Sequence, residues 1–175
     1  MTFLELVKKR ESCRSYDKSR AVEKEKIESI LEAARLSPSA CNSQPYHLTV
    51  AEGEKASAIA KACMGMRMNL FLGDAPVIMV ISEAEYNKTA AFGAKIKHND
   101  YRSIDIGILA ANITLAAADL GLGTCIIGWF DDKKIKEILG TEATSRIVIS
   151  LGYPKEEKAP RDKKRKSSDE LITKI

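Results

Sequence analysis

A chain of 175 residues, 45% hydrophobic and 30% charged, is long enough for one domain with a substantial core and too short for two. Its 28 basic and 24 acidic residues leave a formal charge of +4, and residues 155–166 hold that whole surplus: seven bases (Lys155, Lys158, Arg161, Lys163, Lys164, Arg165, Lys166) face three acids. Cys13, Cys41, Cys63 and Cys125 are scattered with no CxxC, and Glu5, Lys8 and Lys9 stand where a secretory apolar stretch would lie, which argues against export and a disulfide framework and for a soluble, cytoplasmic protein.

Thr2 followed by Glu5 fits a capping box, and Phe3, Leu4, Leu6 and Val7 give a first helix an apolar face as far as about Arg10. A basic loop follows. Between Glu23 and Leu36, Ile27, Ile30, Leu31 and Ala34 recur at i, i+3, i+4 and i+7, so an amphipathic helix runs there until Ser37-Pro38 ends it. His47–Ala51, Pro76–Ser82, Thr124–Gly128 and Ile147–Gly152 are short and rich in Val, Ile and Leu, which predicts buried strands. Helices are expected between them at about 54–64, 104–120 and 131–139. Residues 84–103 show neither period and contain Gly93 and Asn99, so they are expected to be mostly loop with one short helix at most. The stretch Ile104 to Leu120 is interrupted by Asp105, Asn112 and Asp119, which suits a helix buried within the domain or across a subunit interface better than a membrane span. The class is mixed α and β.

Ser37-Pro38-Ser39-Ala40-Cys41-Asn42-Ser43-Gln44-Pro45-Tyr46 is the densest concentration of small polar groups. Its two prolines stiffen a loop whose hydroxyls and amides either face a ligand or satisfy local backbone as Asx- and ST-type turns. Gly121-Leu122-Gly123-Thr124-Cys125-Ile126 begins like a dinucleotide fingerprint, but it lacks the last Gly and runs from helix to strand, so a helix C-cap at Gly121 or Gly123 explains it better. His47 and His98, the only histidines, have no ligand spacing, and no metal is expected. Nothing places a base beside Cys41 or Cys125. The basic segment is a solvated tail, a nucleic-acid footprint or an anchor for a compact anion; lack of aromatic interleaving weakens the nucleic-acid alternative.

Four segments, in order, carry a resemblance. Lys9-Arg10-Glu11-Ser12-Cys13-Arg14-Ser15-Tyr16 resembles the R-x-S-x-R-x-[FY] motif of the FMN-dependent nitroreductase family, and the proline-bounded loop is similar to that family's S-P-S-x-x-N-x-Q-P-[WY] segment. Asp105-Ile106-Gly107 with Asn112, leading to Leu120–Phe130, resembles its central helix and following strand; Leu151-Gly152-Tyr153-Pro154 and then Lys163–Lys166 resemble its C-terminal end.

The resemblance implies an α+β fold in which helices flank a central, mainly antiparallel sheet, with a long buried helix at a dimer interface. It implies one domain over residues 1–175, the segment 155–175 serving the flavin phosphate site and a dimer arm. The activity implied is an FMN-dependent NAD(P)H oxidoreductase that reduces nitroaromatic, quinone or related acceptors by ping-pong hydride transfer. A phosphate dianion is best met by guanidinium forks and ammonium groups, and the resemblance assigns Arg10, Lys163 and Arg165 to it. Arg14 is placed near the ring atoms that gain negative charge on reduction, and Ser12 on the ribityl chain or ring edge. Pro38, Ser39, Ala40 and Asn42 are placed against the flavin from the partner subunit, and the backbone of Ile127 and Gly128 beside N5. Glu11 beside a phosphate site weakens anion affinity unless it points outward or pairs with a lysine. Asn69 and Trp129 are further candidates at the pocket, Trp129 equally so as a core aromatic. In so short a chain Ala84–Ser103 is the expected lid. The partners implied are a second copy and a small-molecule acceptor, without nucleic acid or membrane. Alternatives are a dehalogenase-type or flavin reductase relative, a flavin-binding sensor responding through Cys41 or Cys125, and a basic-tail nucleic-acid binder.

Overall fold

A computed structural model describes residues 1–156 and 161–175, so the Lys158 contribution to the basic segment lies outside the described residues. Helix α1 (Phe3–Lys9) starts from the expected capping box: Thr2 Oγ1 accepts the Glu5 N–H, and Glu5 Oε2 accepts the Thr2 N–H at 2.7 Å. Helix α2 (Lys24–Arg35) buries Ile27, Ile30 and Ala34, the stripe expected from its period. Strand β1 (Tyr46–Glu52), helix α3 (Gly53–Ala62) and strand β2 (Val77–Glu83) follow, then helices α4 (Lys88–Lys97) and α5 (Tyr101–Asp119). Strand β3 (Gly123–Ile127), helix α6 (Asp132–Leu139), strand β4 (Ser145–Gly152) and a short helix α7 (Ser168–Leu171) complete the order.

The four strands form one antiparallel sheet in the order β1-β2-β4-β3, with Val77 opposite Leu151 and Thr124 opposite Leu151 on its other side. The central strand β2 is buried on both faces, which is why its sequence shows a continuous apolar run instead of alternation. Val77, Met79 and Ile81 point to one side, into a core with Ile30 of α2 and Leu109 and Ile113 of α5. Ile78 and Val80 point to the other, against Ile59 of α3 and Ile135 of α6. Each fully buried Ile or Leu contributes about 1.5–3 kcal/mol, so these two cores hold the sheet between its helix layers.

The segment 84–103 differs from expectation. Asn87 caps α4 by accepting the Ala90 N–H at 2.8 Å, and ten residues are helical. Only Ala90 of α4 is buried, so the packing that shapes a sequence period is missing and the helix leaves no stripe to read. Asp100 caps α5, which starts at Tyr101 rather than Ile104. At its other end, Gly121 takes φ +77° while the Leu122 N–H bonds to Ala117 O and the Gly121 N–H to Ala118 O, a Schellman closure. Gly123 is left to start β3. Among the described residues no helix is long and apolar enough to cross a membrane.

Candidate functional site

The segment Arg10–Tyr16 is an extra edge strand in miniature. The Cys13 N–H donates to Thr124 O at 2.8 Å, and Ser12 pairs with Thr124 in a parallel bridge against β3. Tyr16 anchors the far end: its ring is 1% exposed, its hydroxyl donates to Cys13 O and shares a 2.7 Å hydrogen bond with Ser150 Oγ of β4. Gly123 makes the close approach possible, since a Cβ there would fall 2.6 Å from Cys13 Cβ. Arg10, Ser12 and Arg14 therefore project from a fixed backbone. Burial pushes the Cys125 thiol up, opposed by the nearby Arg14 charge, a Ser12 hydrogen bond and the Arg10 charge, which places all three candidates around one strand of the sheet.

The C-terminal tail folds back onto this segment. Lys163 Nζ donates to the Arg10 carbonyl, which as the C-cap of α1 has no helical partner. Arg161 Nε reaches Glu11 Oε2 at 3.0 Å, and its Nη2 donates to Ser12 O at 3.2 Å. Partial burial raises the Glu11 carboxyl, but its hydrogen bonds to Arg161 outweigh that and hold it below the usual carboxylate range. Glu11 is thus neutralised by an arginine, where the sequence suggested a lysine. Burial, then repulsion from Arg10 and Arg165, lowers Lys163 from its ordinary value. Three cations crowded beside one already-paired acid form a site that fits a phosphate. Lys164, Arg165 and Lys166 are exposed, and Arg165 Nη1 donates to Lys164 O.

The loop with Pro38, Ser39, Ala40 and Asn42 is fixed by different elements. Cys41, Asn42 and Gln44 all take positive φ, which only a well-held loop sustains in non-glycine residues. Much of its polar chemistry turns inward: the Gln44 N–H bonds to Ser39 Oγ at 3.0 Å, and the Gln44 amide donates to Asn42 O and Oδ1. The Ala40 N–H is taken by Asp105 Oδ1 of α5 at 3.0 Å, and Asn112 Nδ2 donates to Ser37 Oγ at 2.8 Å. Asn87 ties the loop to α4 by donating to Ser43 Oγ and Cys41 O. These bonds run to α4 and α5, whereas those of the arginine cluster run to β3 and the tail.

Ile127, the last residue of β3, is 4% exposed, and Gly128 follows it at the surface. Trp129 is 52% exposed, so it is not a core aromatic. Asn69, in the left-handed region, spends its amide on Trp129 O and Cys63 O and braces that end of the strand. Two surface cavities, one among His47, Thr49, Ser82, Leu139, Thr141 and Ala143, the other among residues 72–76 with Lys18, Gly53 and Ser57, contain none of the candidate residues. Sequence reasoning assigned no role to Arg161, Asp105 or Tyr16. The signal available was an aspartate within a largely apolar helix, a buried charge that needs a partner.

The Nitroreductase family model matches residues 7–67 and 66–153. The chain is 31% identical over 169 residues to a putative NADH dehydrogenase/NAD(P)H nitroreductase of Methanothermobacter thermautotrophicus, covering 93% of this chain and 82% of that protein. A crystal structure of a nitroreductase family protein from Streptococcus pneumoniae superimposes with a TM-score of 0.82 at 27% identity, covering 99% of this chain and all of the other. The structure of an FMN-dependent nitroreductase from Clostridium difficile superimposes at 0.79 with 29% identity and 98% coverage of each chain.

Proposed function

The chain belongs to the nitroreductase family, and from that premise we propose that it is an FMN-dependent NAD(P)H oxidoreductase acting in the cytoplasm as a homodimer with two shared flavin sites. The observation that carries this is the basic cluster: Arg10, Lys163 and Arg165 gather where Glu11 has been neutralised by Arg161, and Ser12 and Arg14 extend from the same fixed segment along β3. Arg10, Lys163 and Arg165 hold the phosphate, Ser12 the ribityl chain or ring edge, and Arg14 the pyrimidine side of the ring.

Bound FMN would supply the redox chemistry, taking a hydride from NAD(P)H and returning electrons to a nitroaromatic, quinone or related acceptor in a second half-reaction. The chain's own groups orient and tune. The cation of Arg14 would favour negative charge on the ring edge, and the backbone at Ile127 and Gly128 would be offered to N5, with open space where a Cβ of Gly128 would stand. No histidine or carboxylate is required to move a proton.

A second copy is needed to complete the site. Helix α5 leaves an apolar stripe uncovered, Ile104, Ile108, Ala111 and Leu115, and α1 buries none of Phe3, Leu4 and Val7. Leu171 and Ile172 of the tail are likewise more than half exposed. Apolar surface on this scale favours a protein interface, and across it the loop with Pro38, Ser39, Ala40 and Asn42 reaches the flavin held by its partner. Helix α4, joined to that loop and exposing Phe92 and Ile96, forms the lid.

The deciding experiment is absorbance of the purified protein after addition of FMN and desalting, followed by anaerobic titration with NADH and NADPH. Retained flavin bleached by a nicotinamide supports the proposal and identifies the donor. If saturating FMN leaves no bound flavin, the basic cluster has another purpose.

A further inference from the structure

Asp105 sits at 2% exposure in the middle of the molecule, and the chemistry above does not use it. Its Oδ1 accepts the Ala40 N–H at 3.0 Å, while its Oδ2 is buried without a hydrogen-bond partner. Tyr46, just past the same loop, has a buried hydroxyl that is also unpartnered. Burial and then the Asp105 charge raise the Tyr46 phenol above its usual value, so the two groups share one buried region. A buried carboxylate needs firm hydrogen bonds to be tolerated.

Its placement gives it a role. Asp105 and Asn112 are seven residues apart, two helical turns on one face of α5, and grip Ser37 and Ala40 at successive points of the loop. About a quarter turn round the helix lies the uncovered stripe of Ile104, Ile108, Ala111 and Leu115. One helix therefore carries both the surface offered to a second copy and the clamp on the loop.

We propose that Asp105 is a positioning residue of the flavin site: its Oδ1 aims the loop through the Ala40 amide, so that Ala40, Ser39 and Asn42 meet the flavin with the loop already ordered. This rests on the flavin assignment above. The bond joins an amide to a carboxylate and adds a long-range anchor to a turn otherwise closed by short-range bonds, from the Asn42 N–H to Ser39 O and the Ser43 N–H to Ala40 O; Cys41 and Asn42, which follow Ala40, are both in the left-handed region. Releasing the amide lets those residues relax, and a flavin must then reorder them on binding.

The test is FMN affinity by flavin fluorescence well below the melting temperature, with apo-protein melting and oligomeric state measured alongside. Asp105→Ala should weaken FMN binding by about tenfold or more while remaining dimeric. Asp105→Asn, which keeps an acceptor oxygen for the Ala40 N–H, should stay within about threefold of wild type although it too loses stability. A purely structural aspartate would not show that rescue. Ala40→Pro removes the donor instead, at the first position of a helical turn where proline is accommodated, and should weaken FMN binding as Asp105→Ala does while the Asp105 side chain stays in place. This variant keeps the test open if Asp105→Ala fails to fold. The proposal is overturned if Asp105→Ala or Ala40→Pro binds FMN as wild type does, or if Asp105→Asn is as weak as Asp105→Ala. Wild type that binds no FMN overturns the flavin assignment itself, a different result from wild type and variants that bind alike.

Discussion

At Gly123 a single Cβ would fall 2.6 Å from Cys13 Cβ and 2.7 Å from its Sγ, with Pro154 Cγ at 3.3 Å. The Cys13 Cβ is fixed to a backbone that is itself hydrogen-bonded to Thr124, so the neighbour cannot give without breaking the bridge. Gly123→Ala should destabilise the fold by about 1–3 kcal/mol in urea unfolding and weaken FMN retention as well, because the displaced segment carries Ser12 and Arg14. Loss of stability with unchanged flavin affinity would separate the bridge from the site. Arg10→Ala removes a cation from the proposed phosphate cluster, where a charge-assisted hydrogen bond is worth about 1.5–3 kcal/mol, so FMN should bind roughly 10- to 100-fold more weakly. Lys164→Ala, at an exposed side chain, should change affinity less than about twofold and serves as the control. Burial raises the Cys125 thiol and pushes Cys63 up to about 12, so neither is a ready thiolate at neutral pH, which counts against a sensor acting through Cys125.

Among the elements, the C-terminal tail is held by few contacts and one of them titrates. Glu11 lies below the ordinary carboxylate range in the folded protein, so its tie to Arg161 contributes fully above the unfolded value near 4.5 and is lost as pH falls through the folded value. Flavin release monitored by fluorescence should therefore steepen below about pH 4.5. Glu11→Gln should flatten that part of the profile, and a profile identical to wild type would show that the tail does not gate flavin retention. Helix α1's capping box, the period of α2 and the β-branched strands were legible because local chemistry and core contact impose them. Helix α4 was not, since a helix packed through Ala90 alone carries no apolar period, and its start depends on Asn87, which also reads as a loop residue.

For the whole molecule, the uncovered face of α5 is the surface proposed to meet a second copy. Ile104 is 51% exposed and Ile108 half-buried, so Ile104→Glu with Ile108→Glu should leave the single-chain fold intact while placing two charges in the proposed subunit contact. If the proposed dimer forms through this face, sedimentation of the variant should show monomer, with FMN affinity reduced about tenfold or more for want of the partner's loop. A monomeric variant that retains flavin tightly would assign the site to one chain. This variant and Asp105→Ala address different faces of one helix and should differ in sedimentation while agreeing in affinity.

The sequence by itself determined the order of the four strands and of helices α1, α2, α3, α5 and α6, the family resemblance and the concentration of cations near the C-terminus, because periodicity, capping and motif spacing are local properties of a chain. Only the tertiary structure decided that Arg161 neutralises Glu11, that Gly121 closes α5 while Gly123 admits Cys13, and that Asp105 holds the Ala40 amide. The Glu11–Arg161, Cys13–Gly123 and Ala40–Asp105 pairings join residues 65 to 150 positions apart in the chain, and no local pattern encodes them. They arise when the sheet brings β3, the tail and the loop-bearing helix to fixed places, and burial then requires each charge and each backbone amide to find a partner.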